Sequence, residues 1–235
     1  MNIVLIPGFW LTGSSWSGVT PALARARHTV HTPTLPGKRA GDRALSGIGL
    51  HDHVDAVLEV VDAIAPPVVL VGHSGGGAIA WAVADARPAA IARVIFVDAL
   101  PLPDGSCIND ELPVVGDRLP LPDWSFFDDD DLVDLDDALR ERIRTVAVPE
   151  PAAVATDAQE LRDDARFALP VTIIACEFPE EMLRQAVSSG AAWASELARL
   201  ERLEIVELPT GHWPQFTKPL ELAQCILAAV DRVPV

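Results

Sequence analysis

Residues Val68-Val69-Leu70-Val71-Gly72-His73-Ser74-Gly75-Gly76-Gly77 run an apolar, β-branched stretch straight into Gly-x-Ser-x-Gly. Ala78-Ile79-Ala80-Trp81-Ala82-Val83 then reads as a buried helix. A strand that turns this sharply into a helix forces the intervening serine into a strained backbone conformation. Cβ atoms two residues to either side would collide, and Gly72 and Gly76 remove them. Ser74 also stands at a helix start, where free N–H groups and the helix dipole favour developing negative charge. Gly-x-Ser-x-Gly alone occurs in ordinary glycine-rich turns. The strand before it and the helix after it make this copy a nucleophile elbow.

The chain has 235 residues, enough for one domain with a sizeable core, and 49% of them are apolar. Its formal charge of −16 argues against nucleic acid and against an anionic membrane surface, since both need a basic face. Cys107, Cys176 and Cys225 are far apart and odd in number, which suggests neither a zinc site nor a disulfide framework and fits a reducing cytoplasm. Met1 to Ile6 lacks a basic leader and runs into Pro7-Gly8, so it reads as a first strand rather than a signal peptide. No apolar stretch is long enough to cross a bilayer.

Strands are expected at Ile3–Ile6, His28–Pro33, Val68–Val71, Arg93–Asp98, Val171–Ala175 and Glu204–Leu208. Helices are expected from Ser14 or Ser15 to Ala26, over His51–Ala65, through the elbow helix, and over Glu180–Leu200 and Pro219–Arg232, with a loop from Leu35 to Gly49. This alternation predicts an α/β fold, a mostly parallel central sheet with helices on both faces. It stops between Pro101 and Pro170, where the chain is proline-rich and acidic. Residues 101–169 read as an inserted, mostly helical cap, including Leu132–Val146, on a core of residues 1–100 and 170–235. The run Asp128–Asp131 reads as a solvated loop or helix start rather than as a metal site.

A serine hydroxyl is a weak nucleophile and needs a base, which needs an orienting acid. His212 fits the base, because it lies in the loop Pro209-Thr210-Gly211-His212 after the last strand. His28 and His31 flank an early strand, His51 and His53 start a helix, and His73 points away from the serine. The oxyanion of a tetrahedral intermediate needs two backbone donors. Gly75 supplies one candidate. The loop Ile6-Pro7-Gly8-Phe9-Trp10 supplies the other, best placed at Phe9, with Gly8 letting the backbone come close. Trp10, Trp213 and Trp124, the last within Trp124-Ser125-Phe126-Phe127, are candidates for an apolar substrate pocket, although each also suits ordinary packing.

With these motifs in place the chain resembles the α/β-hydrolases. The resemblance rests on Ile6-Pro7-Gly8-Phe9, Gly72-His73-Ser74-Gly75-Gly76, Val97-Asp98-Ala99-Leu100-Pro101, Gly211-His212-Trp213-Pro214 and Pro219-Leu220-Glu221-Leu222-Ala223. It is most similar to small single-domain members near the plant methylesterase and hydroxynitrile lyase branch. It implies an α/β-hydrolase fold whose eight-stranded core is trimmed at its N-terminus, and a site under a cap that uses no cofactor and no metal. Two departures stand out. Pro7 replaces a histidine common in the family, and no aspartate follows the strand Val171–Ala175, where relatives usually carry the acid.

Two acids therefore stay open. Asp98 ends the strand after the elbow helix, and Glu177 follows the usual strand with a longer side chain. The expectation is a serine hydrolase that cleaves a small or medium-sized ester, a small-molecule substrate, through an acyl-enzyme on Ser74, with His212 as base and Asp98 or Glu177 as acid. A homodimer stays open. A lyase on the same groups would call for a lysine near the site, and the only lysines are Lys38 and Lys218, neither in a motif. A ligand-binding or signalling protein on this scaffold is the third reading.

Overall fold

A computed structural model describes residues 1–39, 41–42 and 45–233. Ala40, Arg43 and Ala44, part of the expected loop from Leu35 to Gly49, lie outside the described residues, as do Pro234 and Val235.

The strands are β1 (Asn2–Ile6), β2 (Thr29–His31), β3 (Val68–His73), β4 (Ile91–Val97), β5 (Arg118–Leu119), β6 (Glu150–Pro151), β7 (Pro170–Ala175) and β8 (Arg202–Glu207). Six form one sheet in the order β2-β1-β3-β4-β7-β8, and every pairing in it is parallel. Side chains alternate across this sheet with period two. Val4, Ile6, Leu70, Phe96 and Ile173 face one core, with Val57, Val61, Ile79, Trp81 and Leu183 from the helices Leu50–Ala63, Gly75–Ala86 and Glu180–Ser189. Ile3, Leu5, Val69, Val71, Ile95 and Ile174 face the other, with Leu23, Leu222 and Ile226 from Thr20–Arg25 and Pro219–Val230. Each fully buried aliphatic side chain contributes about 1.5–3 kcal/mol. The central strands therefore read as continuous apolar runs, because both faces are covered.

Register matters most for function. Ile6 pairs with Gly72, His73 with Val97, and Val97 with Ile174. The C-terminal ends of β1, β3, β4 and β7 thus lie side by side. The loops that follow them carry Phe9, Ser74, Asp98 and Glu177 to one edge of the sheet.

Several expected elements are shorter. The first helix splits into a 3₁₀ turn, Gly13–Gly18, and a helix at Thr20–Arg25, because Pro21 favours a fresh helix start. Glu180–Leu200 stops at Ser189, where Gly190 takes φ +70°, and 3₁₀ turns follow. Leu132–Val146 becomes Asp137–Val146, begun by Asp136, whose carboxylate accepts the Leu139 N–H at 2.8 Å. Residues 101–169 are also less helical than expected. Among the described residues they hold two α-helices, Asp137–Val146 and Ala152–Thr156, beside 3₁₀ turns and the antiparallel pair β5–β6. The prolines at 101, 103, 113, 120, 122, 149 and 151 remove donors and interrupt helical runs.

Between β3 and its helix, a Cβ on Gly72 would overlap the Gly76 carbonyl, and one on Gly76 would stand 2.7 Å from the carbonyl oxygens of Ile6 and Pro7. Gly72→Ala is expected to cost about 3 kcal/mol or more, since the neighbours are backbone and cannot rotate away. Urea unfolding monitored by tryptophan fluorescence reads this directly.

Candidate active site

Ser74 sits at φ +52°, ψ −128°, held by its N–H donating to the Val97 carbonyl at 3.1 Å and its carbonyl accepting from Gly77 at 2.8 Å. Such a backbone costs a non-glycine residue about 1–3 kcal/mol and persists only where the surroundings enforce it. Ser74 Oγ lies 2.8 Å from His212 Nε2, and His212 Nδ1 lies 2.7 Å from Asp98 Oδ2. With Nδ1–H donating to the carboxylate, Nε2 is free to accept the hydroxyl proton.

Asp98 is itself at φ +45° and 3% exposed. Its other oxygen accepts the backbone N–H groups of Cys176 at 3.1 Å and Glu177 at 3.3 Å. Burial works to raise its pKa. The hydrogen bond and charge of His212 and the two backbone donors outweigh that and hold it below the usual carboxylate range. Glu177 is placed differently, with Oε2 3.7 Å from His212 Nδ1. Burial, then the charge of Asp98, then Asp131 push its carboxyl up to about 10, so at neutral pH it is uncharged. Of the two acids, Asp98 is both the hydrogen-bonded and the ionised one.

The His212 loop is fixed from two sides. His73, 1% exposed, donates Nε2–H to the His212 carbonyl at 2.6 Å and accepts from Gln215 Nε2 at 3.3 Å. Burial, then the neighbouring His212, pull the His73 pKa down to about 3, which keeps its ring neutral. From the other side, the Asp131 carbonyl accepts the His212 N–H at 2.8 Å, and the Val133 carbonyl accepts the Gly211 N–H at 3.1 Å. A Cβ on Gly211 would overlap the Asp131 carbonyl oxygen. The acidic run thus meets this loop through its backbone.

Phe9 and Gly75 are adjacent across the site: a Cβ on Gly75 would come 2.8 Å from the Phe9 ring. Gly8 lies equally close to the elbow, since a Cβ there would stand 2.7 Å from His73 Nδ1 and 2.9 Å from Ser74 Cβ. A cavity of about 580 Å3 opens over Ser74 and His212, with Phe9, Trp10 and Gly75 in its wall. Apolar residues such as Leu100, Ile108, Phe126, Phe127 and Phe178 line it further, and Glu111, Asp128 and Asp131 bring negative charge. Trp124 and Trp213 do not reach this wall. Trp213 is 1% exposed and packs edge-on against Phe127 and Trp124, with ring centroids 5.1 and 5.4 Å away. They back the aromatic wall that Phe126 and Phe127 present.

The sequence reading set His73, His53 and Lys38 aside and did not single out Glu150; all four are buried. Lys38 Nζ is hydrogen-bonded to Glu150 Oε2, and His53 Nδ1 lies 3.7 Å from Glu150 Oε1. The available signal was a charged residue flanked by structure-breaking ones, Pro36-Gly37-Lys38 and Pro149-Glu150-Pro151.

Asp98→Asn is expected to lower kcat by on the order of 10^4, as losing the useful tautomer does elsewhere, while Glu177→Gln leaves it nearly unchanged. Steady-state kinetics on one ester checks both. Glu177 also carries a stability signature. Between its ordinary 4.5 and about 10, the folded protein keeps a proton that the unfolded chain has lost, so stability falls as pH rises through that window. Glu177→Gln is expected to be more stable than the parent at pH 8, with the gap closing toward pH 4, in urea unfolding at the two pH values.

A model of the alpha/beta hydrolase family matches residues 3–224. The carbendazim hydrolyzing esterase of Nocardioides sp. (strain SG-4G) is 37% identical over 116 residues, 48% of this chain and 47% of that protein. The alignment thus spans about half the length of that curated relative. An extracellular alpha/beta-hydrolase from a Paenibacillus species superposes with TM-score 0.76 at 21% identity, over 97% of this chain and 98% of the other. That protein is described as sharing structural and functional homology with tobacco salicylic acid binding protein 2. A methylesterase from Arabidopsis superposes with TM-score 0.72 at 17% identity, over 98% of this chain and 99% of the other. At these identities the two structures speak to the fold. With the family match spanning nearly the whole sequence, the chain belongs to the alpha/beta hydrolase family.

Proposed function

We propose that this chain is a serine hydrolase that cleaves a small or medium-sized ester through an acyl-enzyme on Ser74. The observation that carries the reading is the unbroken hydrogen-bonded line from Ser74 Oγ to His212 at 2.8 Å and from His212 to Asp98 at 2.7 Å. Ser74 Oγ attacks the ester carbonyl while His212 Nε2 takes its proton. The Phe9 and Gly75 amides receive the oxyanion; among the described residues neither is given to another acceptor. His212 returns the proton to the departing alkoxide, and the alcohol leaves. Water, deprotonated by His212, attacks the acyl carbonyl, and the acid departs with Ser74 restored. Asp98 keeps Nδ1 protonated and stabilises the imidazolium in both halves of the cycle.

Residues 101–169 serve as the cap in this reading, over a core of residues 1–100 and 170–235. One chain supplies every group used, so a homodimer would not change the site. Among the described residues no helix is long and apolar enough to cross a membrane. The cysteines are free, which fits a reducing compartment such as the cytoplasm. A lyase on the same groups draws less support, because both lysines are engaged away from the cavity, Lys38 with Glu150 and Lys218 with Asp134 at 3.2 Å. A binding or signalling protein would not require the serine, imidazole and carboxylate to stand in line.

Among the described residues the cavity wall includes no lysine or arginine. Neutral esters are expected to exceed otherwise matched esters bearing a carboxylate by ~10-fold or more in kcat/KM, a ratio that narrows as salt screens Glu111, Asp128 and Asp131. Ser74→Ala is expected to lower kcat by on the order of 10^5–10^6 and to abolish labelling by a fluorophosphonate. Full ester turnover by Ser74→Ala would end this reading.

A further inference from the structure

Resting on the hydrolase reading, we infer that the buried Lys38–Glu150 ion pair is a positioning device that aims the Phe9 amide into the oxyanion site. Neither residue lines the cavity, and both are nearly inaccessible, at 2% and 1% exposure. Charges this deep need a compensating reason, because an ion pair in a core is often no more stabilising than apolar residues of equal volume.

The two peptide units that flank Phe9 supply the reason. The first joins the Gly8 carbonyl to the Phe9 N–H. In a trans peptide these point in opposite directions, so a group that fixes one fixes the other. The Gly8 carbonyl accepts from Lys38 Nζ at 3.4 Å and from the Leu11 N–H at 3.3 Å. The second unit joins the Phe9 carbonyl to the Trp10 N–H, and that N–H donates to Glu150 Oε2 at 3.1 Å. The same carboxylate oxygen takes Lys38 Nζ. One ion pair therefore grips both planes on either side of the candidate donor.

The grip works against a strained backbone. Trp10 stands at φ +62°, a region bulky side chains seldom occupy. Its carbonyl accepts the Val148 N–H at 2.8 Å, and its indole donates to the Leu119 carbonyl at 3.1 Å. Glu150, in β6, and Val148 belong to the same short stretch, so the oxyanion loop is tied to residues 148–150 at successive atoms. The ammonium on the Gly8 carbonyl also polarises that peptide and strengthens the Phe9 N–H as a donor. His53, on the helix Leu50–Ala63, closes the cluster. Its Nε2 donates to the Pro36 carbonyl at 2.9 Å, its Nδ1 faces Glu150, and it holds the turn that delivers Lys38.

The test is the double variant Lys38→Met/Glu150→Gln, which removes both charges together and keeps an amide oxygen for the Trp10 N–H. The expected result is a kcat lower by ~10- to 100-fold with KM little changed, somewhat less than outright loss of an oxyanion donor. A trifluoromethyl ketone, which forms a hemiketal oxyanion on the serine, should lose affinity by the same factor. Glu196→Gln serves as the control: it disturbs another buried pair, with Arg166 at 3.1 Å, and should lower the melting temperature without moving kcat or the ketone's inhibition constant. If the double variant does not fold, Lys38→Met alone undergoes the same two measurements. A folded variant with kcat and ketone affinity within twofold of the parent overturns the inference. So does a fall in kcat with no fall in ketone affinity. Neither result touches the hydrolase reading, which stands or falls separately on Ser74→Ala.

Discussion

Backbone packed directly on backbone is the constraint on which this molecule depends. The loop after β1 lies close against the elbow, with glycine at the tightest points of approach. Gly8 faces His73 and Ser74, Gly76 sits under the carbonyls of Ile6 and Pro7, and Gly72 meets Gly76. Beside this contact, the Ser74 N–H on the Val97 carbonyl and the Gly77 N–H on the Ser74 carbonyl hold the serine in its positive-φ conformation. The same contact brings the Phe9 ring against Gly75, the residue after the serine. The strain is local and modest, about 1–3 kcal/mol, whereas the central strands that bracket it are buried on both faces and supply far more.

Charge is distributed just as tightly. Asp98 and Glu177 follow neighbouring strand ends, and both come near His212 Nδ1. Two carboxylates crowded this way do not both ionise at little cost. Asp98 has two backbone donors and the imidazole, so it carries the charge. Among the described residues Glu177 Oε2 is buried without a hydrogen-bond partner, and burial and the charge of Asp98 keep the glutamate protonated. Between these two acids, the negative charge thus sits on the one hydrogen-bonded to the imidazole. The neutral His73 ring, behind it, holds the loop without adding a competing cation.

What could be read from the amino acids follows the range of the forces involved. The elbow was legible because its sterics act over five residues, and the strands because apolar runs on a two-sided sheet are local patterns. His212 was legible from chain order. The acid was ambiguous, since Asp98 and Glu177 each follow a strand; the register pairing Val97 with Ile174 makes them neighbours, and of the two it is Asp98 that is hydrogen-bonded to His212. Lys38, His53 and Glu150 were illegible as a unit. They are separated by up to 112 positions, and each looks like a surface charge until tertiary packing buries it. The tryptophans misled for a related reason. Hydrophobic bulk marks Trp124 and Trp213 for burial without saying whether they face a cavity or stand behind its wall.

Residues 101–169 were the least legible part, and the geometry shows why they cannot be treated as an appendage. Few of their contacts are periodic; they are held by docking. The Asp131 carbonyl takes the N–H of His212, and seventeen residues later the Val148 N–H takes the carbonyl of Trp10, with Glu150 on the N–H of the same residue. One segment therefore holds the His212 loop at one end and the Trp10 loop at the other. A segment that merely covered the cavity could lift away and leave the chemistry intact. Here the bonds from Asp131 to His212 and from Val148 and Glu150 to Trp10 tie the segment to both loops, so under the proposed hydrolase reading its displacement would loosen the two together.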